Sequence, residues 1–279
     1  MKEKLRVGIA QMHSYLGNVD KNLEKHIVYM ELARKEGVDL LVFPELSLTG
    51  YLLRDLAYEI SEDAEEALNE IVGRSEPMCI VPGLVREPRT GVYENSVAYV
   101  CGGEVAGFYS KLYLPDYGLF EEARYFRPGG VEDARVYEWR EWRIGSIICE
   151  DAWHPEPAEL VARRGADVIV IHAASPIRGL YGEGPAPPER AWEAIAVARA
   201  VENTAYVVFV NRVGPEDEEY FWGGSMVVGP GGEVIARAKK MEEDFLVVDL
   251  DIHRLRTARR FSSFKLHRRD IHEALSRLR

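Results

Sequence analysis

The stretch "VDLLVFPE" (38–45) is apolar without a break from Leu40 to Phe43 and stops at Pro44. A strand with one wet face alternates apolar and polar residues, whereas a run that is apolar throughout belongs to a strand covered on both faces. "DVIVIH" (167–172) is a second apolar strand. Such strands need layers on either side, and the intervening segments supply them. "VDKNLEKHIVYMELARKEG" (19–37) has apolar residues at helical spacing and ends at Gly37, a helix-stop signal. Further helices are predicted over 62–74, 157–165 and 188–204, that over 157–165 opening on a proline in its first turn. Strands are predicted over 5–12, 142–149, 205–211, 222–228, 233–238 and 245–250, with "MCIVPGLV", "ENSVAYVC" and "EVAGFYSK" as short strands and "GPGG" as a hairpin turn. "YLPDYGLFEEARYFRPGG" (113–130) is rich in aromatics and has no period, so it reads as a long loop of the kind that carries function. Each half runs through strand, helix and strand pairs, which predicts an α/β fold of two sheets face to face with helices outside, a four-layer α-β-β-α sandwich. One domain is expected over 1–260, followed by a basic tail over 261–279 that reads as a subunit-contact extension.

Charge and cysteine usage narrow the function. A formal charge of −11 over 279 residues argues against nucleic acid as the main partner. No run approaches the ~18–20 apolar residues of a membrane span. The N-terminus, "MKEKLRVGIAQM", passes from basic residues straight into a strand pattern without a signal-peptide core, so a cytoplasmic location is expected. Cys79, Cys101 and Cys149 form no CxxC pair, which argues for reduced thiols. No His/Cys/Asp cluster has ligand spacing, so neither a metal nor another cofactor is expected.

Three predicted strand ends carry chemistry. Cys149 closes the strand in "GSIICEDAWHPE", where the chain turns toward a helix, the kind of sharp turn that lifts a nucleophile out of a sheet. Cys79 and Cys101 read as small buried hydrophobes instead. The acids Glu150 and Asp151 follow Cys149 at once and should raise its pKa, so the thiol needs a nearby cation or a base that takes its proton during attack. Candidate bases are His154, His172 and the carboxylate of Glu45, which ends an apolar strand and, partly buried, would titrate nearer neutrality. Lys111 in "FYSKLYLP" ends another strand. Strand ends of an α/β layer fold converge on one rim, where ligands bind.

"FPELSLTGY", "SKLYLP" and "ICEDAWHPE" resemble the three catalytic blocks of the nitrilase superfamily of carbon–nitrogen hydrolases, and the resemblance extends through "RVGIAQM", "RGADVIVIHAASP" and "FWGGSMVVGPGGEVIARA". It implies a sandwich of nitrilase type, Glu45 as general base, Lys111 as stabiliser of a tetrahedral intermediate, Cys149 as nucleophile and Glu122 as a supporting carboxylate. "LYLPDYGLFEEARYF" and "CEDAW" look most like the glutaminase domain of glutamine-dependent NAD synthetases, which implies Tyr117, Glu150, Trp153 and Ser175 as substrate contacts. The arginine that those domains carry after their "SP" pair is out of register here, with Arg178 or Arg190 as substitutes. The expected substrate is a small amide, with nitriles and N-carbamoyl amines as alternatives. A non-catalytic binding scaffold or an ammonia-supplying subunit stands as an alternative of another class. The family also implies a homodimer or larger homo-oligomer.

Overall fold

The computed structural model describes residues 3–177 and 187–262. Along the chain the elements are β1 (Lys4–Gln11), α1 (Val19–Lys35), β2 (Leu40–Val42), α2 (Ser61–Gly73), β3 (Cys79–Val81), β4 (Gly83–Arg89), β5 (Val92–Cys101), β6 (Glu104–Ser110), α3 (Glu122–Tyr125), β7 (Val136–Trp139), β8 (Trp142–Ile148), α4 (Pro155–Arg163), β9 (Val168–Ala173), α5 (Pro187–Asn203), β10 (Tyr206–Asn211), β11 (Val213–Glu216), β12 (Glu219–Trp222), β13 (Met226–Val228), β14 (Val234–Arg237), β15 (Asp244–Asp251) and α6 (Ile252–Phe261). One sheet has the order β15-β1-β2-β3-β5-β4, with β6 also paired to β5. The second has the order β14-β13-β10-β9-β8-β7, and β11 and β12 form a separate hairpin. The central pairs β1–β2–β3 and β8–β9–β10 are parallel.

The unbroken apolar runs have a direct structural reason. Leu40 and Val42 join a core with Ile147, Val170 and Phe209 of the second sheet, while Leu41 and Phe43 turn to a second core shared with Met30 of α1 and Leu68 of α2. On the far side, Val161 of α4 and Trp192 of α5 pack against the second sheet. The order is therefore helices, sheet, sheet, helices, as the strand pattern predicts.

Several boundaries differ from the expectation. The strand predicted over 222–228 is two strands, because the chain breaks at Gly223 and Gly224, both at positive φ. A Cβ on Gly223 would lie 2.5 Å from the Gln11 amide nitrogen, so the close approach demands glycine there. The β11–β12 hairpin and β7 escape the sequence pattern, and the aperiodic loop over 113–130 contains the short helix α3. The basic stretch after β15 begins as α6, capped by Asp251, whose carboxylate accepts from the His253 N–H at 2.7 Å. The tail residues from 263 onward lie outside the described residues.

The expectation of reduced thiols fails for two cysteines. Cys79 and Cys101 sit directly opposite on antiparallel β3 and β5, with Cα atoms 4.1 Å apart, and are joined as a disulfide. Register between strands 22 positions apart in sequence decided this, and no local spacing displays it. Cys149 is the free thiol of the three. Among the described residues no helix is long and apolar enough to cross a membrane.

Candidate active site

The ends of β2, β6, β8 and β9 meet at one rim. After β2 the chain turns through Leu46, whose φ of 48° lies in the left-handed region, and this turn delivers Glu45 inward. Gly83 permits it, since a Cβ there would stand 2.5 Å from Leu46 N and 2.6 Å from Pro44 O. Lys111 follows β6, its N–H donating to Asn95 O at 2.9 Å. Cys149 follows β8 at φ 43°, at the head of a single 3-10 turn, Cys149–Trp153. Left-handed backbone beside the acid and at the thiol is stored strain of the kind found at working sites.

The side chains are buried and bonded to one another. Lys111 is 0% exposed, Glu45 1%, Glu122 5% and Cys149 7%. The Lys111 ammonium donates to Glu45 Oε1 at 2.7 Å and to Glu122 Oε1 at 2.6 Å. Glu45 Oε1 also accepts from Asn95 Nδ2 at 2.8 Å, and its Oε2 from the Ala174 N–H at 2.9 Å. Glu122 Oε1 accepts from the Tyr51 hydroxyl at 2.6 Å. Burial alone would push the Lys111 pKa down, but Glu122, Glu45 and Cys149 hold it well above its usual value, so it is a permanent cation. Burial pushes the Cys149 thiol up, and Glu45 adds to this while Lys111 opposes it. The thiol therefore rests protonated beside a carboxylate and an ammonium. Burial raises Glu122 to about 7 against the pull of Lys111.

Cys149 lies on a cavity of about 420 Å³, within the usual range for small-molecule sites. Tyr117, Glu150, Trp153 and Ser175 line the same cavity. The Tyr117 hydroxyl donates to Glu150 Oε2 at 2.7 Å. Trp153 meets Trp192 edge-on, with ring centroids 5.6 Å apart. Ser175 Oγ accepts from the indole N–H groups of Trp192 at 2.8 Å and Trp222 at 3.4 Å, which leaves its own hydrogen to donate. Among the described lining residues Glu150 is the one formally charged side chain, and none is basic. Arg190 is exposed on α5 and does not line the cavity, and Arg178 lies outside the described residues.

The histidine candidates have partners other than the thiol, and His154 Nε2 lies 3.5 Å from Glu150 Oε1 on the cavity wall. His172 is buried with Nδ1 against Phe43 O at 2.7 Å and Nε2 against Ser146 Oγ at 3.0 Å, and burial lowers its pKa to about 4. His154 stacks on Tyr113 at the surface, with ring centroids 3.9 Å apart. One expectation needs correction. The acids that act most on the thiol are Glu45 and Glu122, not the sequence neighbours Glu150 and Asp151. Asp151 turns away, its Oδ1 accepting from the Leu112 and Tyr113 N–H groups at 3.0 and 2.8 Å. Its Oδ2 accepts from the Tyr109 hydroxyl at 2.7 Å and the Ile148 N–H at 3.0 Å. It therefore ties the turn bearing Cys149 to the strand exit bearing Lys111. Asp151, Asn95 and Tyr51 escaped the sequence reading. Asp151 alone carried a signal there, as an acid beside the thiol too close to a strand end to be freely solvated.

A family model described as carbon-nitrogen hydrolase matches residues 6–260. The chain belongs to the carbon–nitrogen hydrolase family. It is 36% identical over 256 residues to the glutamine-dependent NAD(+) synthetase of Thermotoga maritima, covering 90% of this chain and 42% of that protein. The chain thus spans less than half the length of the curated relatives it matches. A carbon–nitrogen hydrolase from Helicobacter pylori superposes with a TM-score of 0.86 at 26% identity, covering 98% of each chain. A variant of the amidase from Nesterenkonia sp. AN1, with acrylamide added at its active-site cysteine, superposes with a TM-score of 0.79 at 26% identity, covering 98% of this chain and 99% of that one. These hydrolases have the nitrilase-type sandwich seen here.

Proposed function

We propose that this carbon–nitrogen hydrolase cleaves a small primary amide to a carboxylate and ammonia through a thioester on Cys149. The observation that carries the reading is the buried Lys111 ammonium held between Glu45 and Glu122, interacting with a thiol at the wall of a substrate-sized cavity. Glu45 takes the Cys149 proton as the sulfur attacks the amide carbon. Lys111, with the Glu150 N–H, holds the oxyanion of the tetrahedral adduct. Protonated Glu45 then gives its proton to the departing nitrogen, ammonia leaves, and a thioester remains. Glu45 next accepts a proton from water as it adds to the thioester carbon, and returns that proton to the sulfur as the acid forms. Each proton is passed through one carboxylate, so no histidine is needed.

Amides should outperform nitriles. Glu150 and the oriented Tyr117 accept hydrogen bonds from an amide NH₂ or an ammonium, and a nitrile nitrogen offers no donor. An acceptor desolvated by the bound substrate and left unpaired costs about 1–3 kcal/mol, or roughly one to two powers of ten in relative efficiency. Among the described residues the wall carries a single acid and is otherwise aromatic and proline-rich, which suits a substrate with a positive group and favours glutamine-like amides, and the likeness to glutamine-dependent NAD synthetases supports that choice. The test is ammonia release, as kcat/KM, over glutamine, short amides, N-carbamoyl amines and matched nitriles. Nitriles outperforming their amide partners across several pairs would refute amide hydrolysis as the main activity.

The pH dependence follows from Glu122. Protonating it removes one of the two charges that hold the Lys111 ammonium, so kcat/KM should fall below a limb near pH 7, the value to which burial raises this carboxyl. Glu122→Gln should lower the plateau and remove that limb. Stability should run the opposite way. The folded-state pKa of about 7 exceeds the usual 4.5, so this group's stabilising contribution is complete below about 4.5 and is lost as pH rises through 7. A thermal melt across pH on wild type and Glu122→Gln isolates that contribution.

A further inference from the structure

The segment around the β11–β12 hairpin holds a buried ion pair that the chemistry above does not use. Arg212, just before β11, donates from Nη1 to Glu216 Oε2 at 2.5 Å and from Nη2 to Ser14 O at 3.0 Å, with its guanidinium 4.2 Å from the Phe221 ring centroid. Both partners are buried. Burying such a pair gives little net stability by itself, so its other contacts matter more. Glu216 Oε1 accepts from the Tyr51 and Leu52 N–H groups at 2.9 and 2.7 Å, and Oε2 accepts from Tyr51 N–H at 3.2 Å. The carboxylate therefore pins the backbone of Tyr51 from the opposite side of the molecule in sequence.

Tyr51 leads into the site. Its ring meets Phe120 and Phe221 edge-on, each with centroids 6.1 Å apart, and its hydroxyl reaches Glu122. Glu122 Oε2 is buried with no hydrogen-bond partner among the described residues, so its orientation rests on the two donors to Oε1. Lys111 is shared with Glu45, which leaves Tyr51 as the donor given to Glu122 alone. We propose that the Arg212–Glu216 pair is a positioning device for Glu122, acting through Tyr51, and so sets the turnover step of the hydrolase. This inference rests on the proposed amide hydrolysis at Cys149.

The experiment measures kcat, KM and the pH profile of ammonia release for Glu216→Gln, Tyr51→Phe and the double variant, with thermal melting of each and Cys149→Ala beside them. Glu216→Gln and Tyr51→Phe should each lower kcat about 10- to 100-fold, the scale of a small misplacement of a catalytic group. KM should stay within about threefold, since the loss falls on the transition state. The acid limb should move upward, because the Tyr51 hydrogen bond opposes the rise of the Glu122 pKa. The double variant should be no slower than the slower single variant, as the two act in series. Glu216→Asp keeps the pairing charge with a shorter reach and should show the same shift if Glu216→Gln does not fold. Wild-type kcat and limb in either folded Glu216 variant, additive losses in the double variant, or failure of both Glu216 variants to fold would each overturn the positioning role. Ammonia release that survives Cys149→Ala, or a wild type that releases none, overturns the underlying reading as well. A Cys149-dependent enzyme indifferent to Glu216 overturns the positioning role alone.

Discussion

Cys149→Ala is expected to abolish ammonia release, with a fall on the order of 10⁴-fold or more, the scale seen when a covalent nucleophile is removed. Folding should survive. The side chain is small and sits on the cavity wall. Its backbone at φ 43° is kept by the bonds around Asp151, which alanine leaves in place. The thiol rests protonated, so alkylation of the free enzyme should be slow at neutral pH and quicken as pH rises, while turnover should proceed at neutral pH under the proposed mechanism, in which Glu45 accepts the proton only during attack. Mass spectrometry after a rapid quench should find an acyl adduct on Cys149 and on neither Cys79 nor Cys101. Substantial activity in a folded Cys149→Ala protein would end the thioester mechanism.

The second large effect is expected at the charges behind the thiol. Glu45→Gln should cost about 10²- to 10⁴-fold in kcat, the range of a general base. The amide also disturbs its surroundings. If its oxygen accepts from Lys111 and Asn95, its NH₂ faces the Ala174 N–H, and if it flips, the NH₂ faces two other donors. Lys111→Ala should cost about 10²- to 10³-fold as an oxyanion donor is lost. It should also destabilise the fold by about 3–5 kcal/mol, because the buried carboxyls of Glu45 and Glu122 lose their shared cation and must take up a proton or stay uncompensated. Activity and thermal melting measured together separate the two losses. His172→Gln, measured alongside, should lower melting more than turnover, since that ring serves Phe43 and Ser146. Strong loss in His172→Gln with a mild Lys111→Ala would hand the proton chemistry to the histidine.

The residues at strand ends were legible because a strand end is a local event. A strand pattern that stops at a carboxylate, an ammonium or a thiol announces both the strand and the group it delivers, and Glu45, Lys111 and Cys149 all read this way, Glu45 and Cys149 after apolar runs. The helices were legible from their 3.6-residue period, and the sheets from unbroken apolar runs at their centres and alternation in strands such as β1. Short elements without an unbroken apolar run were not, whereas β2 and β3, of three residues each, had one. β7, β11 and β12 have four residues each, too short for a period to build up.

What the sequence by itself determined, then, is the layer order and the chemical types at the rim, because burial on both faces and the abrupt end of an apolar run are written in consecutive residues. What only the tertiary structure decided is who faces whom. Lys111 meets Glu45 across 66 positions and Glu122 across 11, Tyr51 reaches Glu122 across 71, and Glu216 holds Tyr51 across 165. Asp151, adjacent to the reactive turn in sequence, points away from the sulfur because four donors from β6, β8 and the loop after β6 claim its oxygens. Hydrogen bonds and charge act over a few ångströms whatever the distance along the chain. Their pairings are therefore set by how the sheets pack, and no window of neighbouring residues contains them.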